Sequence, residues 1–421
     1  MQNLNFYSLK YILILFPALL LTGPFLPDLF LSLIAIIYIF KISKQSGWHL
    51  LWSKTYNKYF ILLYLILVIG SILSEFQIYS LKSSFFYFRY FFFFNAIIDL
   101  LDEDEKIIKK ISFLTFISLL IASFDTIFQS QFGFNMLGYE TNNSSRMGSF
   151  FGDELIIGSY LSRLSPLLII FFFCINSNKF KLNFYLFSIL IFIGSGIFLS
   201  GERTALFLFL LTFVTIFFVK KFRYGFYITC ILSLLILPLS NNLSKDRMFN
   251  QTINQIYDKE RGKIYFFSKE HTILSKISVE IFKNNKFFGA GAKNFRNVCD
   301  DEKYKNLVDF KPDHYCNFHP HNIFFQFLSE TGFFGTTTYL FFLFYIIYKI
   351  LRTLLNFRND KENKNGFILL FSAIGVLISI FPLVPSGQFF NNWLSIYLYI
   401  YLGIFLYFDK KYKFKTLNFF K

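Results

Sequence analysis

Residues 183–219 read NFYLFSILIFIGSGIFLSGERTALFLFLLTFVTIFFV. Two apolar runs, 183–199 and 203–219, are joined here by the short segment Ser200-Gly201-Glu202. A helix needs roughly 20 mostly apolar residues to cross a bilayer, with about 17 to 25 allowed. The stretch therefore predicts two membrane-spanning helices with a tight connection between them.

The composition of the whole chain points the same way. Of its 421 residues, 54% are hydrophobic and only 16% are charged, whereas a soluble domain carries about 25% charged residues. The net charge of +16 would suit a nucleic-acid partner only if the basic residues shared one face. We therefore predict an all-α polytopic membrane protein and not a multidomain soluble one.

Twelve segments qualify, or nearly qualify, as membrane spans. They are 9–23, 27–40, 59–74, 84–101, 110–128, 155–175, 183–199, 203–219, 224–239, 333–350, 366–384 and 392–408. Gly23, Pro24 and Pro27 divide the first apolar stretch in two, because Pro inside a helix costs about 3 kcal/mol. No small-residue cleavage site follows the first span, so we expect it to be retained.

The distribution of Lys and Arg predicts the orientation. If the N-terminus is cytoplasmic, 23 of these residues fall in cytoplasmic segments, and three (Lys82, Arg146 and Arg203) fall in short outer loops. The long segment 240–322, between spans nine and ten, then becomes a periplasmic loop. It is too polar for a large independent domain, so residues 1–421 are expected to form a single integral membrane domain whose loop carries short helices.

Three local features add detail. The glycines of Phe287-Phe288-Gly289-Ala290-Gly291 predict a sharp turn in the loop. Arg89 falls within the fourth span and should face protein or a water-filled cavity, because a charge is costly at membrane depth. Arg163 falls in the sixth span.

Histidines cluster at the end of the loop, where His314, His319 and His321 lie within eight residues. Pro320 and the apolar run after it predict that a helix begins there, well placed to meet an anionic lipid headgroup. The cluster could equally be an interfacial one with no role. A zinc site of His319, His321 and Cys316 is a further alternative, although ligands two apart on a helix do not share a face.

The two loop cysteines, Cys299 and Cys316, enclose 16 residues. In an oxidising compartment a disulfide between them would stabilise the loop by about 3 kcal/mol on the chain-entropy model. Two free thiols are the alternative. Cys174 and Cys230 lie in spans, where cysteine behaves as a small apolar residue.

Arg203 begins a predicted helix, and a helix N-terminus with a guanidinium forms a site for phosphate or diphosphate. A local ion pair with Glu202, or an interfacial position without a ligand, is the alternative. Other outer arginines are each, taken alone, more typical of a solvated charge than of a ligand. They are Arg146, Arg247, Arg261 and Arg296.

Several chemical motifs are absent from the sequence. There is no Walker loop, no Gly-rich dinucleotide fingerprint and no nucleophile elbow. No series of acidic residues falls in mid-span, which disfavours a proton-coupled transporter.

Three motifs in order carry a family resemblance. Ser200-Gly201-Glu202-Arg203-Thr204-Ala205 looks like S-G-x-R-x-A, and residues 282–291 look like a loop motif ending in G-x-G. Residues 319–335 look like H-N-x-x-L-x-x-L-x-E-x-G-x-x-G. The chain resembles the O-antigen ligase and O-antigen polymerase superfamily, with the motifs in 200–335. Twelve spans with one long outer loop are that family's architecture.

The sequence departs from the family at two loop positions. Many relatives have Pro where Lys286 stands and Arg where His271 stands. Either Arg247 or Arg296 could therefore be the equivalent of the family's loop arginine.

The resemblance implies inverting glycosyl transfer on the periplasmic side of the bacterial inner membrane, without nucleotide sugar, metal or other cofactor. The donor would be a glycan on undecaprenyl diphosphate, and the acceptor a hydroxyl of lipid A core, as in a ligase of lipopolysaccharide assembly, or of another lipid-linked glycan. A polymerase, a protein O-oligosaccharyltransferase and a non-catalytic transporter or lipid-binding protein are the alternatives. Membrane lipids are expected partners, and nucleic acid is not.

Residue roles follow from the same resemblance. His321 would be the general base, since an unperturbed pKa of about 6.5 suits proton transfer near neutral pH. Arg203, with a loop arginine, would neutralise the departing diphosphate, and an apolar groove between spans would hold the polyprenyl chain. Supporting roles fall to His319, Asn322, Glu330 and His271.

Overall fold

The computed structural model describes residues 6, 9–141, 145–175, 179–219, 222–236, 242–258, 262–264, 267–301, 304, 316–359 and 363–412. His314 and Arg261, two of the predicted candidates, lie outside these residues.

Helices dominate the described chain, which confirms the all-α class. They are α1 Leu9–Leu19, α2 Phe25–Lys44, α3 Trp48–Ser53, α4 Thr55–Ile72, α5 Gln77–Ser84, α6 Phe88–Glu103, α7 Lys106–Phe132, α8 Ile157–Cys174, α9 Lys179–Leu199, α10 Arg203–Phe217, α11 Arg223–Ile236, α12 Asn242–Lys245, α13 Gln251–Ile256, α14 Lys269–Asn284, α15 Phe295–Val298, α16 Ile323–Asn359, α17 Lys364–Ser379 and α18 Asn392–Lys411. Strand structure in the described part is limited to the antiparallel pair β1 Tyr257–Asp258 and β2 Lys263–Ile264 and one isolated bridge.

Each of the twelve expected spans coincides with a helix. Six helical stretches are long and apolar enough to cross a membrane: Phe25–Lys44, Thr55–Ile72, Gln77–Glu103, Lys106–Phe132, Ile157–Cys174 and Ile323–Phe357. Four shorter apolar helices are Leu9–Thr22, Phe184–Leu199, Arg203–Phe217 and Lys364–Ser379. The chain thus has the character of a multi-pass membrane protein, while twelve crossings and the side on which the loop lies stay predictions.

The first apolar stretch is divided as expected. α1 and a short 3-10 turn end at Thr22, Gly23 adopts a φ of +92°, and α2 begins at Phe25. Glycine takes this positive φ without steric cost, and Pro24 fits the start of a helix. The two helices therefore meet in a tight turn.

The centre of the bundle is built around α8. This helix packs on α7, α10 and α17, and α18 joins α17 to α6. Nearly every residue of α8 is buried, and Arg163 among them is 4% exposed. A helix that is apolar all round belongs in the interior of a bundle, so any charge on it faces protein.

Arg89 also faces protein, as predicted. Its guanidinium contacts both carboxylate oxygens of Asp28 on α2, with Nη2 2.8 Å from Oδ1 and Nη1 3.2 Å from Oδ2. Asp28 lies in the first turn of α2, and Arg89 lies in the first turn of α6, near the middle of the longer helical stretch Gln77–Glu103. The pair therefore lies at the end of the bundle that carries the Gly23 turn.

The long loop packs against α16. The apolar face of α14, with Ile273, Ile277 and Ile281, forms a small second core with Phe295 and Tyr304. α14 also contacts α16 directly. Burial of one apolar stripe is what holds an amphipathic helix of this length, so the loop is anchored on the bundle.

Candidate active site

A cavity of about 880 Å³ opens where the loop meets the helix ends. Its walls come from the turn between α1 and α2, the starts of α8 and α10, the histidine segment before α16, and the connection between α17 and α18. The charged and titratable residues that line it are Arg146, Glu154, Arg163, Glu202, Arg296, His319 and His321. A cavity that combines apolar walls with a few convergent polar groups is the usual form of a binding site.

The start of α10 forms one side of the site. Gly201 turns the chain with a φ of +71°, and Arg203 is the first helical residue, as predicted. Arg203 donates from Nη1 to Gln255 Oε1 at 2.6 Å, and its buried Nε has no partner in the described chain. The first N–H groups of a helix are unsatisfied and carry partial positive charge, so this corner attracts anions.

Two further arginines join Arg203 there. Arg247, from the beginning of the loop, donates from Nε to the carbonyl of Gly201 at 2.9 Å. Arg146 lies 4.0 Å from a carboxylate oxygen of Glu202. Burial, Arg146 and Arg203 together lower the pKa of Arg247 to about 10, which reflects like charges held close. We call Arg146, Arg203 and Arg247 the α10 cluster.

Glu202 does not form the ion pair with Arg203 that was one alternative. Its Oε1 accepts the N–H of Gly158 at 2.7 Å, and its charged neighbour is Arg146. Burial raises the pKa of Glu202 to about 7, against the opposing effect of Arg146. The carboxyl is therefore only partly ionised near neutral pH, and the α10 cluster keeps its excess positive charge.

Three histidines meet beside this cluster. His271 of α14 lies with its ring centroid 5.6 Å from that of His321, and the rings of His321 and His319 are 4.1 Å apart. His271 Nδ1 is 2.7 Å from Ser268 Oγ, and His319 Nε2 is 3.1 Å from the carbonyl of Ser386. His321 lines the cavity, and its ring nitrogens have no hydrogen-bond partner within the described chain.

The pKa of His321 in the free protein lies below the unperturbed value of about 6.5. Burial, followed by the nearby His271, lowers the pKa of His321 to about 4. Burial lowers the pKa of His319 to about 3 and also depresses that of His271. A buried imidazolium beside other cations is unfavourable, so all three rings are neutral near pH 7.

Arg296, the second loop candidate, lies apart from the α10 cluster. Its guanidinium carbon is 4.6 Å from the ring centroid of Phe318 and 5.9 Å from that of Tyr79. Its charge acts on Lys293 and His319. The histidines therefore stand between two basic regions.

Asn322 and Glu330 hold the site's framework and do not line the cavity. Asn322 Oδ1 accepts the N–H of Phe325 at 3.2 Å and so caps α16, whose start at Ile323 agrees with prediction. Glu330 accepts from Gln326 Nε2 at 2.9 Å and from the N–H of Phe295 at 3.2 Å. Both side chains therefore hold backbone segments in place: Asn322 at the start of α16 and Glu330 at the start of α15.

The predicted sharp turn at residues 287–291 is confirmed, and it clasps α16. Ala290 and Gly291 donate to the carbonyls of Ser329 and Glu330 at 2.8 and 3.0 Å. Phe333 and Phe334 donate back to residues 286 and 287 at 2.7 and 3.2 Å, across a kink at Gly332 with φ of +61°. We call this contact the clasp; it explains why glycine-rich motifs occur in both segments.

Cys299 and Cys316 are joined by a disulfide, with their Cα atoms 5.4 Å apart. The bond ties α15, which carries Arg296, to the segment that carries Phe318 and His319. Because its sulfur is in the disulfide, Cys316 is not available as a zinc ligand. Among the described residues, no group of three His, Cys, Asp or Glu side chains is placed to hold a metal ion. Cys174 and Cys230 are free thiols.

Arg163 is a cavity residue for which no role was predicted. Its Nε donates to Ser159 Oγ at 3.1 Å and its Nη1 to the carbonyl of Ile378 at 3.2 Å. Its sequence signal is a charge inside an apolar run, the same signal that drew attention to Arg89. Only the fold distinguishes Arg163, which lines the cavity, from Arg89, which pairs with Asp28.

Residues 186–340 match the family model of O-antigen ligase. The match supports the predicted resemblance to the O-antigen ligase-related superfamily for this part of the chain. The matched range contains the α10 start, Arg247, the three histidines, Arg296 and the clasp. Arg146 and Arg163 precede it, so part of the cavity comes from outside the matched range. No curated protein matches the chain.

Proposed function

We propose that this O-antigen ligase-related protein transfers a glycan from undecaprenyl diphosphate to a sugar hydroxyl, with inversion, on the periplasmic side of the bacterial inner membrane. The acceptor that we favour is lipid A core, which makes the protein an O-antigen ligase. The observation that carries the proposal is that Arg203 of the α10 cluster acts on His271, whose ring centroid lies 5.6 Å from that of His321, a residue that lines the cavity.

The α10 cluster suits a leaving diphosphate. Arg203 is the first residue of α10, and Arg247 contacts the turn just before it, where the first backbone N–H groups of the helix also lie. Neither arginine forms an ion pair with a carboxylate of the described chain. Positive groups fixed where negative charge develops stabilise a transition state without reorganising at the moment of reaction. The cluster supplies this charge from side chains, so the proposal requires neither a metal ion nor a nucleotide sugar.

Arg247 is the loop arginine that this proposal assigns to the donor. It contacts the turn that carries Arg203, whereas Arg296 lies beyond the histidines. Of the two loop candidates, we therefore favour Arg247 over Arg296 for the donor. His271, which occupies the position where many relatives have Arg, lies close enough for the charge of Arg203 to lower its pKa.

His321 is the proposed general base. The acceptor hydroxyl gives its proton to a ring nitrogen of His321 while its oxygen bonds to the anomeric carbon, and the bond from that carbon to the phosphate oxygen breaks. The electron pair leaves with the diphosphate. Since a nearby anion favours the protonated imidazole, donor binding should raise the pKa of His321 from its low value in the free protein.

Part of the cavity wall suits the start of the polyprenyl chain. Ala205 and Leu208 of α10 and Leu394 of α18 supply apolar side chains to this wall. An apolar chain gains about 25 cal/mol for each Å² of surface removed from water, so these side chains favour the apolar part of the donor.

The deciding experiment uses the full chain in a strain that lacks it. Wild type should restore long glycans on lipid A core, while His321→Gln and Arg203→Gln should not, because each removes one half of the proposed chemistry. Arg223→Gln is the matched control, since this guanidinium donates to the carbonyl of Phe217, lies over the ring of the same residue, and is not among the residues that line the cavity.

The gel also separates the related activities. Loss of a ligase leaves bare core and accumulated lipid-linked glycan, whereas loss of a polymerase leaves core with a single repeat unit. Glycans missing from protein instead would indicate an oligosaccharyltransferase. Full restoration by both His321→Gln and Arg203→Gln would refute catalysis and leave a binding or transport role.

A further inference from the structure

A second basic region lies on the far side of the histidines. It consists of Lys293 and Arg296, and we call it the outer pair. Arg296 lines the cavity, its guanidinium packs over Phe318, and its buried Nε has no hydrogen-bond partner in the described chain. A guanidinium that packs on an aromatic ring keeps all its N–H donors for other partners, and these donors suit a planar or tetrahedral anion.

Lys293 is held beside Arg296 in an uncommon conformation. Its φ is +61°, which is costly for a residue with a side chain. The turn is fixed on both sides, since Asn294 donates to Ser74 Oγ at 2.5 Å and Glu330 accepts from the backbone of Lys293 and Phe295. Strain of this kind persists where the surroundings impose it and is concentrated at functional sites.

The carboxylates near the outer pair are already engaged. Asp28 contacts Arg89 through both oxygens. Glu330 is buried and accepts hydrogen bonds from Gln326 and from backbone N–H groups. In the described chain, neither Lys293 nor Arg296 forms an ion pair, so two positive charges remain for a ligand.

We propose that Lys293 and Arg296 bind a phosphate group carried by the acceptor glycan, at a subsite separate from the α10 cluster. The assignment rests on the proposed transfer function, because that reaction needs two substrates in one cavity. Two cations match a phosphate monoester, which carries about −1.5 to −2 charge at pH 7. The histidines then lie between donor and acceptor, where the proton is moved.

Binding measurements without turnover test this subsite. The full chain is placed in phosphatidylcholine nanodiscs, and mannose 6-phosphate, with mannose as its uncharged reference, is titrated by saturation-transfer NMR, which detects weak ligands. Mannose 6-phosphate should bind about tenfold more tightly than mannose, since one lost charge-assisted contact corresponds to about that factor. Arg296→Gln and Lys293→Asn should each remove most of this preference.

The variants are chosen to keep the fold. Asn tolerates positive φ better than most residues, so Lys293→Asn removes the charge and keeps the turn. Lys283→Gln is the control: it removes one charge from the same loop, at an exposed residue paired with Glu280 outside the cavity. It should bind mannose 6-phosphate as wild type does.

The donor probe keeps the two proposals distinguishable. Undecaprenyl diphosphate binding should fall in Arg203→Gln and stay within about twofold of wild type in Arg296→Gln, and mannose 6-phosphate should show the opposite pattern. If the donor probe fails to bind while the outer pair still selects the phosphorylated sugar, the transfer function fails and the subsite stands. An equal loss of mannose 6-phosphate binding in Arg203→Gln would overturn the separate subsite.

Two other results would also overturn it. The first is equal affinity of wild type for mannose and mannose 6-phosphate. The second is loss of sugar-phosphate binding when phosphatidylglycerol is included in the nanodisc, because the outer pair would then serve a lipid headgroup.

Discussion

Replacing Gly289 with Ala should destabilise the protein far more than the same change at Gly133. Both glycines have positive φ, +70° and +82°, so both substitutions carry the conformational penalty of about 1–2 kcal/mol. A Cβ at Gly133 would meet no atom within 4 Å. At Gly289 it would lie 2.4 Å from backbone atoms of Glu330 and Thr331, so the two segments of the clasp must separate.

The size of the difference follows from the clasp. Separation weakens its four backbone hydrogen bonds, of 2.7 to 3.2 Å, each with a net value of about 1 kcal/mol. Gly289→Ala should therefore cost roughly 4–6 kcal/mol against about 1–2 kcal/mol for Gly133→Ala. The loss should extend to activity, because the clasp positions the turn that bears Lys293 and the backbone that Glu330 binds.

Thermal unfolding in detergent, followed by loss of the monodisperse peak on size exclusion, measures both variants against wild type. The midpoint for Gly289→Ala should fall at least twice as far as that for Gly133→Ala. A fall no greater than that of the control would show that the close approach of the two backbones does not stabilise the fold, and the interpretation of the glycine motifs would be refuted.

Three further outcomes are expected. Arg247→Gln should weaken undecaprenyl diphosphate binding by about tenfold or more in a nanodisc titration, whereas an equal effect of Arg296→Gln would show that the donor is not confined to the α10 cluster. Stability should rise with pH between about 4 and 6.5, because the unfolded chain there binds protons that His319, with a folded-state pKa of about 3, does not. The contribution of neutral His319 to the free energy of unfolding is complete above the pKa that this histidine has in the unfolded chain, and it is lost as the pH falls. The melting temperature of His319→Gln should therefore depend less on pH than that of wild type. Mass spectrometry after alkylation should show two extra labels on reduction, from Cys299 and Cys316; unchanged labelling would exclude the disulfide.

Much of the helical architecture could be predicted from local sequence. The apolar runs, the Gly23–Pro24 break and the glycines at 289 and 291 each act over a few residues, and the helices and turns occur where those signals lie. The partner of Arg89 could not be predicted in this way, because Asp28 lies 61 residues earlier in the chain.

The site was predictable as a set of residues but not as an arrangement. Arg203, His319 and His321 could be recognised from their motifs. The choice between Arg247 and Arg296 could not, since it depends on which segment of the loop folds back onto Gly201. The low pKa of His321 also required the fold, because burial and the proximity of His271 arise from a helix about 50 residues earlier in the chain.

The sequence by itself determined that this chain is helical, rich in apolar runs long enough for a membrane, and similar in its motifs to the O-antigen ligases, because apolar runs and short motifs are properties of neighbouring residues. Only the tertiary structure decided how the positive charges are divided. It gathers Arg146, Arg203 and Arg247 at one helix start, pairs Arg89 with Asp28, and leaves Lys293 and Arg296 beyond the histidines. Electrostatic interactions depend on distance through space, and residues far apart in the chain become close only when the loop closes over the bundle.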